Sequence, residues 1–198
     1  MCRGSGIGCD DLFMKIQPLY LMLVNRTHPF DEKRLEEIEL VPVRNIAGDE
    51  VLLEKKTAEA FAKMREDMKE QGLILEIEDG YRSREEQIRV MKHIAAEEGE
   101  EAAAARCAPP GCSEHETGLA IDIIYDLIFG PLVMRWNPVF SEYGFIERYP
   151  EGKEEITGYI PESWHLRYVG PEHSVPIEQQ RVTLEEYLAQ LEKKEAES

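Results

Sequence analysis

The chain has 198 residues, 42% hydrophobic and 32% charged, which supplies the core of one domain. Its formal net charge of −17 repels phosphate backbones and anionic lipid headgroups, so nucleic-acid and anionic-membrane binding are excluded as leading functions. No apolar run is long enough to span a bilayer.

Residues 1–13 contain Cys2, Cys9, Asp10 and Asp11 and lack the basic start and apolar stretch of a secretory signal. Residues 1–14 are therefore expected to be a flexible segment ahead of one domain over 15–192, and the chain as it stands is expected to be cytoplasmic. L-Y-L-M-L-V-N (19–25) reads as a short buried strand that stops at Asn25. I-E-L-V-P-V (38–43) is a second extended piece, confined to a sheet edge by Pro42. From Thr57 to Gln71 the period becomes helical, with Phe61, Met64 and Met68 as a core-packing stripe, Thr57 as a cap and Gly72 as the stop. L-I-L-E-I-E-D (73–79) alternates as a strand does. After G-Y-R-S, Ser83 and Glu86 have capping-box spacing, and Ile88, Met91 and Ala95 form an inner stripe. Arg82 thus falls on a strand-to-helix corner, with Gln87 just over a turn beyond.

Ala95–Ala105 is a low-complexity Ala/Glu stretch, and 107–114 is a Pro/Gly loop. L-A-I-D-I-I (119–124) is a strand with Leu119, Ile121 and Ile123 on one face and Ala120, Asp122 and Ile124 on the other. Y-G-F-I-E-R-Y (143–149) and W-H-L-R-Y-V (164–169) are the last strands, with a turn at P-E-G-K-E-E. Thr183 and Glu186 form a second capping box, opening a helix with Leu184, Tyr187, Leu188 and Leu191 as its apolar stripe. The acidic end, 193–198, is expected to fray. Strands and helices without regular alternation indicate an α+β domain.

Of the four cysteines, Cys107 and Cys112 enclose A-P-P-G. Reduced thiols are the leading reading, since Cys2 and Cys9 have no evident partners; a local disulfide and metal binding by the pair are the alternatives.

Two segments carry chemistry: S-E-H-E-T-G-L-A-I-D (113–122) and P-E-S-W-H-L-R-Y-V-G (161–170). His115, Asp122 and His165 offer two imidazoles and a carboxylate, a donor set suited to one zinc ion with a fourth position open for water. Zinc lowers the pKa of such a water towards neutrality. Glu162, three residues before His165, is the candidate general base, and Arg82 the candidate partner for a developing oxyanion. Gly118 permits a backbone geometry that lets His115 and Asp122 face one point.

Each residue also has a plain structural reading. A lone His115 or His165 is more often a packed or hydrogen-bonded side chain, Glu162 an ordinary surface acid, and Arg82 a partner of Asp79 or Glu86. Asp122 is harder to dismiss, because an Asp among Leu, Ala and Ile is costly to bury unpartnered. His28, His93 and His173 sit in no comparable setting and are expected to be structural or exposed. None of this names a substrate.

The blocks L-V-N-R-T-H-P (23–29), G-Y-R-S-R-E-E-Q (80–87), P-P-G-C-S-E-H-E-T-G-L-A-I-D-I (109–123), Y-G-F-I-E-R-Y-P (143–150) and E-S-W-H-L-R-Y-V-G (162–170) cover most of the chain. In this order, with Ser-x-His-x(6)-Asp and a later Glu-x-x-His, the sequence resembles the D-alanyl-D-alanine carboxypeptidases of the vancomycin-resistance (VanY-like) type. Their relatives are D-Ala-D-Ala dipeptidases and L,D-carboxypeptidases. The resemblance implies His115, Asp122 and His165 as ligands of one zinc ion, Glu162 as base, and Arg82 as the arginine that contacts substrate and supports the intermediate. It also implies Gln87 and Ser113 as polar residues holding the terminal residue.

The implied fold is a small antiparallel sheet with flanking helices, the zinc fold shared by D,D-peptidases and the Hedgehog signalling domain. The implied reaction is hydrolysis of the terminal D-Ala-D-Ala bond of peptidoglycan stem peptides or precursors. L,D-carboxypeptidase and D-Ala-D-Ala dipeptidase activities are close alternatives, and a zinc-stabilised binding module is the non-enzymatic one. Such a module has no need to keep a base and an oxyanion partner beside its ligands. Two departures touch the pocket wall: Cys112 stands where relatives often carry an aromatic residue, and Ser163 where proline or tryptophan is common. Wall-trimming relatives usually act outside the membrane and dipeptidase relatives in the cytoplasm.

Overall fold

The computed structural model describes residues 18–126 and 138–197. The N-terminal segment expected over 1–14, with Cys2 and Cys9, lies outside the described residues. Two strands, β1 (Leu40–Arg44) and β2 (Glu50–Glu54), form an antiparallel hairpin. The other four are β3 (Ile74–Asp79), β4 (Ala120–Asp126), β5 (Phe145–Tyr149) and β6 (Glu162–Tyr168). They build one antiparallel sheet in the order β3-β4-β6-β5. The helices are α1 (Lys55–Glu70), α2 (Arg84–Glu98), α3 (Glu100–Arg106), α4 (Pro138–Glu142), α5 (Glu154–Thr157), α6 (Pro171–Gln180) and α7 (Leu184–Ala196). Among the described residues, no helix is long and apolar enough to cross a membrane.

Strand alternation divides the four-stranded sheet into two faces. Leu75, Ile77, Ile121, Ile123, Phe145 and Leu166 point to one side, where Phe61, Met64 and Met68 of α1 close over them. The sequence places that stripe correctly, but not its cap. The Glu54 carboxylate accepts from the Thr57 backbone N–H at 2.9 Å and from the Thr57 hydroxyl at 3.1 Å, so the helix starts two residues earlier, on the end of β2. The opposite face carries Asp122, His165, Arg148 and Arg167, and it holds the site.

Both expected capping boxes form, at Ser83/Glu86 and Thr183/Glu186. The strand expected at 19–25 does not. Leu19–Leu21 is one 3-10 turn, the chain then runs extended, and Asn25 closes a turn by accepting from the Thr27 and His28 backbone N–H groups. The physical reason is an arginine: Arg167 Nη2 donates to Met22 O at 2.8 Å and Tyr20 O at 3.4 Å, satisfying carbonyls that a neighbouring strand would otherwise pair. Met22 and Val24 still enter the core, beside Phe30, Ile38 and Leu119.

Candidate metal centre and active-site cleft

His115 sits in a 3-10 turn (Glu114–Thr117) that runs directly into β4, while Asp122 and His165 are paired residues of β4 and β6. The turn can end where it does because Gly118 adopts φ +70°. A β-carbon there would lie 2.7 Å from Leu40 Cδ2 and 2.9 Å from Glu54 N. Behind His115, Gly80 O meets its Nδ1 at 2.7 Å, and the Arg82 backbone N–H donates to His115 O at 3.0 Å. Gly80 has to be glycine where the chain passes β2, since a β-carbon would stand 2.7 Å from Leu52 O. With Nδ1–H committed to a carbonyl, the His115 Nε2 lone pair faces Asp122.

One donor atom from each of His115, Asp122 and His165 falls within 4.8 Å of the others. Asp122 Oδ1 is 3.0 Å from His165 Nδ1, and Asp122 Oδ2 is 3.4 Å from His115 Nε2. Two ligand atoms each about 2.0–2.1 Å from a tetrahedral ion stand ~3.3 Å apart, so both of these separations are of the size a zinc-sized cation requires. Burial opposes ionisation of Asp122, but His115 and His165 outweigh it and hold its carboxyl well below the ordinary carboxylate range. Burial likewise opposes a charged His165, yet Asp122 and Glu114 push that imidazole up to about 9.

The trio lies in a cleft of about 160 Å³ that Arg82, Ser113, Glu162 and Trp164 also line. The residues expected to bind metal, catalyse or hold substrate, His115, Asp122, His165, Glu162, Arg82, Gln87 and Ser113, therefore line one cleft. Burial raises the Glu162 carboxyl above its usual range, with Asp122 adding to the effect against the pull of His165. Arg82 is gripped by Asp79 and donates to Gln87 Oε1 at 2.8 Å. Its structural pairing with Asp79 and its place in the cleft thus coexist. Gln87 is 1% exposed, and its amide nitrogen donates to Ala108 O at 2.8 Å and Cys107 Sγ at 3.2 Å. Its contacts brace Arg82 against the 107–108 wall. Cys107 and Cys112 are free thiols, the first buried and the second packed beside Ala108, Tyr149 and Tyr159. Ser163 is exposed. His28 closes the Asn25 turn, His93 is exposed, and His173 packs on Tyr187.

Sequence reasoning passed over Glu114, Arg148 and Arg167, whose side chains are fully buried directly beneath the trio. Glu114 Oε1 accepts from Arg148 Nε and from Arg167 Nη1, each at 2.8 Å. A weaker signal was available for the arginines: each is a charge on a strand rich in apolar and aromatic residues, F-I-E-R-Y and W-H-L-R-Y, an anomaly of the kind that marks Asp122.

Residues 50–171 match the VanY family of D-alanyl-D-alanine carboxypeptidases. The bifunctional D-Ala-D-Ala dipeptidase and D-Ala-D-Ala carboxypeptidase VanXYC of Enterococcus gallinarum is 36% identical over 183 residues, covering 84% of this chain and 92% of that protein. Among solved structures, a vancomycin-resistance D,D-pentapeptidase of the VanB-type cassette in complex with Zn(II) is similar with a TM-score of 0.74 at 33% identity, over 86% of this chain and 99% of that one. VanYB in complex with D-alanine-D-alanine gives the same TM-score and identity over 87% and 98%.

Proposed function

The chain belongs to the VanY family of D-alanyl-D-alanine carboxypeptidases, and we propose that it is a zinc-dependent D,D-carboxypeptidase that hydrolyses the terminal D-Ala-D-Ala bond of peptidoglycan stem peptides or precursors. One observation carries this reading: a single cleft gathers the His115–Asp122–His165 trio, a half-buried carboxyl at Glu162 and the guanidinium of Arg82. Similar proteins bound to Zn(II) and to D-alanine-D-alanine support it.

His115 Nε2, an Asp122 carboxylate oxygen and His165 Nδ1 would hold the metal. When bound, zinc polarises the scissile carbonyl and lowers the pKa of water at the open position. Glu162 takes a proton from the attacking water and returns it to the departing D-alanine amine. Its raised proton affinity suits it to take the proton and to hold it until the amine departs. Arg82 faces the negative charge that develops on the carbonyl oxygen, held in place by Asp79 and Gln87 before substrate arrives. Arg82, Gln87 and Ser113 present the polar side of the cleft to the terminal carboxylate. A local cation is needed there because the chain as a whole, at −17, repels an anionic peptide end.

The test is release of D-alanine from a pentapeptide stem ending in D-Ala-D-Ala and from a tetrapeptide stem with one terminal D-Ala, each with and without a chelator. Chelator-sensitive release from the pentapeptide is expected. Preference for the tetrapeptide makes the enzyme an L,D-carboxypeptidase. Cleavage of free D-Ala-D-Ala alone makes it a dipeptidase. Zinc-loaded protein that releases nothing from any of the three is a binding module.

A further inference from the structure

We propose that Glu114 is a positioning residue for His165, and that through Arg148 and Glu185 it makes the docked C-terminal helix α7 part of the metal centre's support. The inference rests on the reading of His115, Asp122 and His165 as a zinc site. It concerns residues that lend no ligand atom to that trio.

Glu114 divides its two oxygens between two tasks. Oε1 takes both arginine hydrogen bonds, from Arg148 Nε and Arg167 Nη1. Among the described residues Oε2 has no hydrogen-bond partner, although its carboxylate is wholly buried, and neither has the buried Nε2 of His165. These two orphaned atoms face each other at 3.6 Å. Buried polar atoms are costly to leave unmade, and a shift of about half an ångström turns this pair into an ordinary N–H···O bond. On the far side of the same ring, Nδ1 faces Asp122 Oδ1 at 3.0 Å. A proton drawn to Nε2 by Glu114 leaves the Nδ1 lone pair for the metal. A ligand imidazole whose other nitrogen is held by a carboxylate is fixed in both tautomer and orientation.

What holds Glu114 in turn is unusual in its reach. Arg148 spans from Glu114 to Glu185, giving Nη1 and Nη2 to the two Glu185 oxygens at 3.0 and 2.6 Å. Glu185 lies in the first turn of α7. Arg167 completes the cage by donating to Met22 O and Tyr20 O in the N-terminal segment. Two carboxylates and two guanidiniums cancel in formal charge, so the cluster is neutral as a unit and unbalanced by any single deletion. Were its only role to bind α7 to the sheet, Glu185 and Arg148 would suffice. Extending the chain of contacts to Glu114 brings it to the one ligand ring not held by backbone, since His115 already has Gly80 O.

Two measurements test this. In zinc-loaded wild-type protein with ¹⁵N-labelled histidine, long-range ¹H–¹⁵N correlation should show His165 protonated at Nε2 and metal-bound at Nδ1. The opposite tautomer overturns the proposal whatever any variant does. Second, zinc dissociation constants are measured against a chromophoric chelator for wild type, Glu114→Gln, Glu185→Gln and Met64→Ala. Gln keeps the volume of Glu114, but its oxygen is committed to the arginines and its NH2 cannot accept from His165. Zinc affinity should fall about 10–100-fold in Glu114→Gln, in the range seen for partners that orient metal ligands. Glu185→Gln should move it the same way by roughly tenfold or less. Met64→Ala destabilises the opposite face and should leave the constant unchanged. Wild-type affinity in Glu114→Gln overturns the proposal, and so does an equal loss in Met64→Ala, which would make the effect one of general stability. A wild-type protein that takes up no zinc removes the zinc reading itself, an outcome distinct from both.

Discussion

The two faces of the four-stranded sheet are made by the same strands and obey opposite rules. On the α1 face, Ile121, Leu166 and Ile77 meet Phe61 and Met64, all completely buried and all apolar. That surface is non-directional, and its contribution scales with area removed from water. One residue along each strand the rule inverts. Arg148 and Arg167 are just as deeply buried, His165 nearly so and Asp122 half-buried, and each is tolerated because a named partner stands within hydrogen-bond reach. The apolar face fixes where the strands lie; the polar face uses that rigidity to hold donor atoms at 3.0–3.4 Å. A loop could not do this as well, because paired strands set Asp122 opposite His165 by register.

The largest effect expected from separating the faces is chemical. Glu162→Gln should lower kcat by about 10²–10⁴-fold, the range for a positioned general base. Zinc content and thermal midpoint should stay those of the wild type. Activity surviving in that variant would falsify Glu162 as the base. Dialysis against a chelator should likewise abolish D-alanine release, and added zinc should restore it. The mirror experiment lies on the other face. Phe61→Ala removes a fully buried ring from the α1 contact and should cost about 3–5 kcal/mol in denaturant unfolding. Activity per folded molecule at low temperature should be little changed. If Phe61→Ala instead lowers kcat before it unfolds, the two faces are not separable and the comparison fails.

The apolar face was legible in the sequence and the polar face only in part. Helical spacing of Phe61, Met64 and Met68, alternation at 73–79 and 119–124, and two capping boxes follow from local rules that the chain cannot evade. The strand expected at 19–25 went wrong because its pattern is apolar but its backbone partners are side-chain atoms of Arg167, and no local pattern encodes a guanidinium arriving from 145 residues away. β2, in D-E-V-L-L-E-K-K, is too short and too flanked by charge to stand out. In the site, the residues with motif spacing converge, while those beneath them were missed for different reasons. Arg148 and Arg167 are charges on strands rich in apolar and aromatic residues, and the argument applied to Asp122 reaches them, though less sharply. Glu114 could not, since in S-E-H-E every neighbour is polar and burial has no local signature. Glu185 in the first turn of α7 reads as a plain complement to the helix dipole.

Gly118 joins the two faces, ending the turn that carries His115 and beginning the strand that carries Asp122. Gly118→Ala places a β-carbon against Leu40 and the Glu54 backbone at φ +70°, a cost on the order of 1–3 kcal/mol. The comparison becomes sharper if relief of that strain is shared: a lowered thermal midpoint from the displaced hairpin, together with weakened zinc binding from a displaced His115. A variant that loses stability alone would make the turn a structural joint only.

The smallest effect expected is at Cys107, where the polar face meets the cleft wall. Burial raises this thiol above its ordinary range, and the opposing pull of Arg82 does not restore it. Little thiolate exists at neutral pH, so labelling by a maleimide should be slow there. It should climb with pH and show no plateau below about pH 9, the ordinary limit for an exposed cysteine. Cys112 is raised by the same cause but is partly exposed, so it should label first. Because Gln87 donates to Cys107 while holding Arg82, modification of Cys107 should raise KM more than it lowers zinc content. Zinc lost in step with labelling would instead mean that the wall and the metal trio move as one body, and that the boundary between the two faces lies further into the cleft than Gln87.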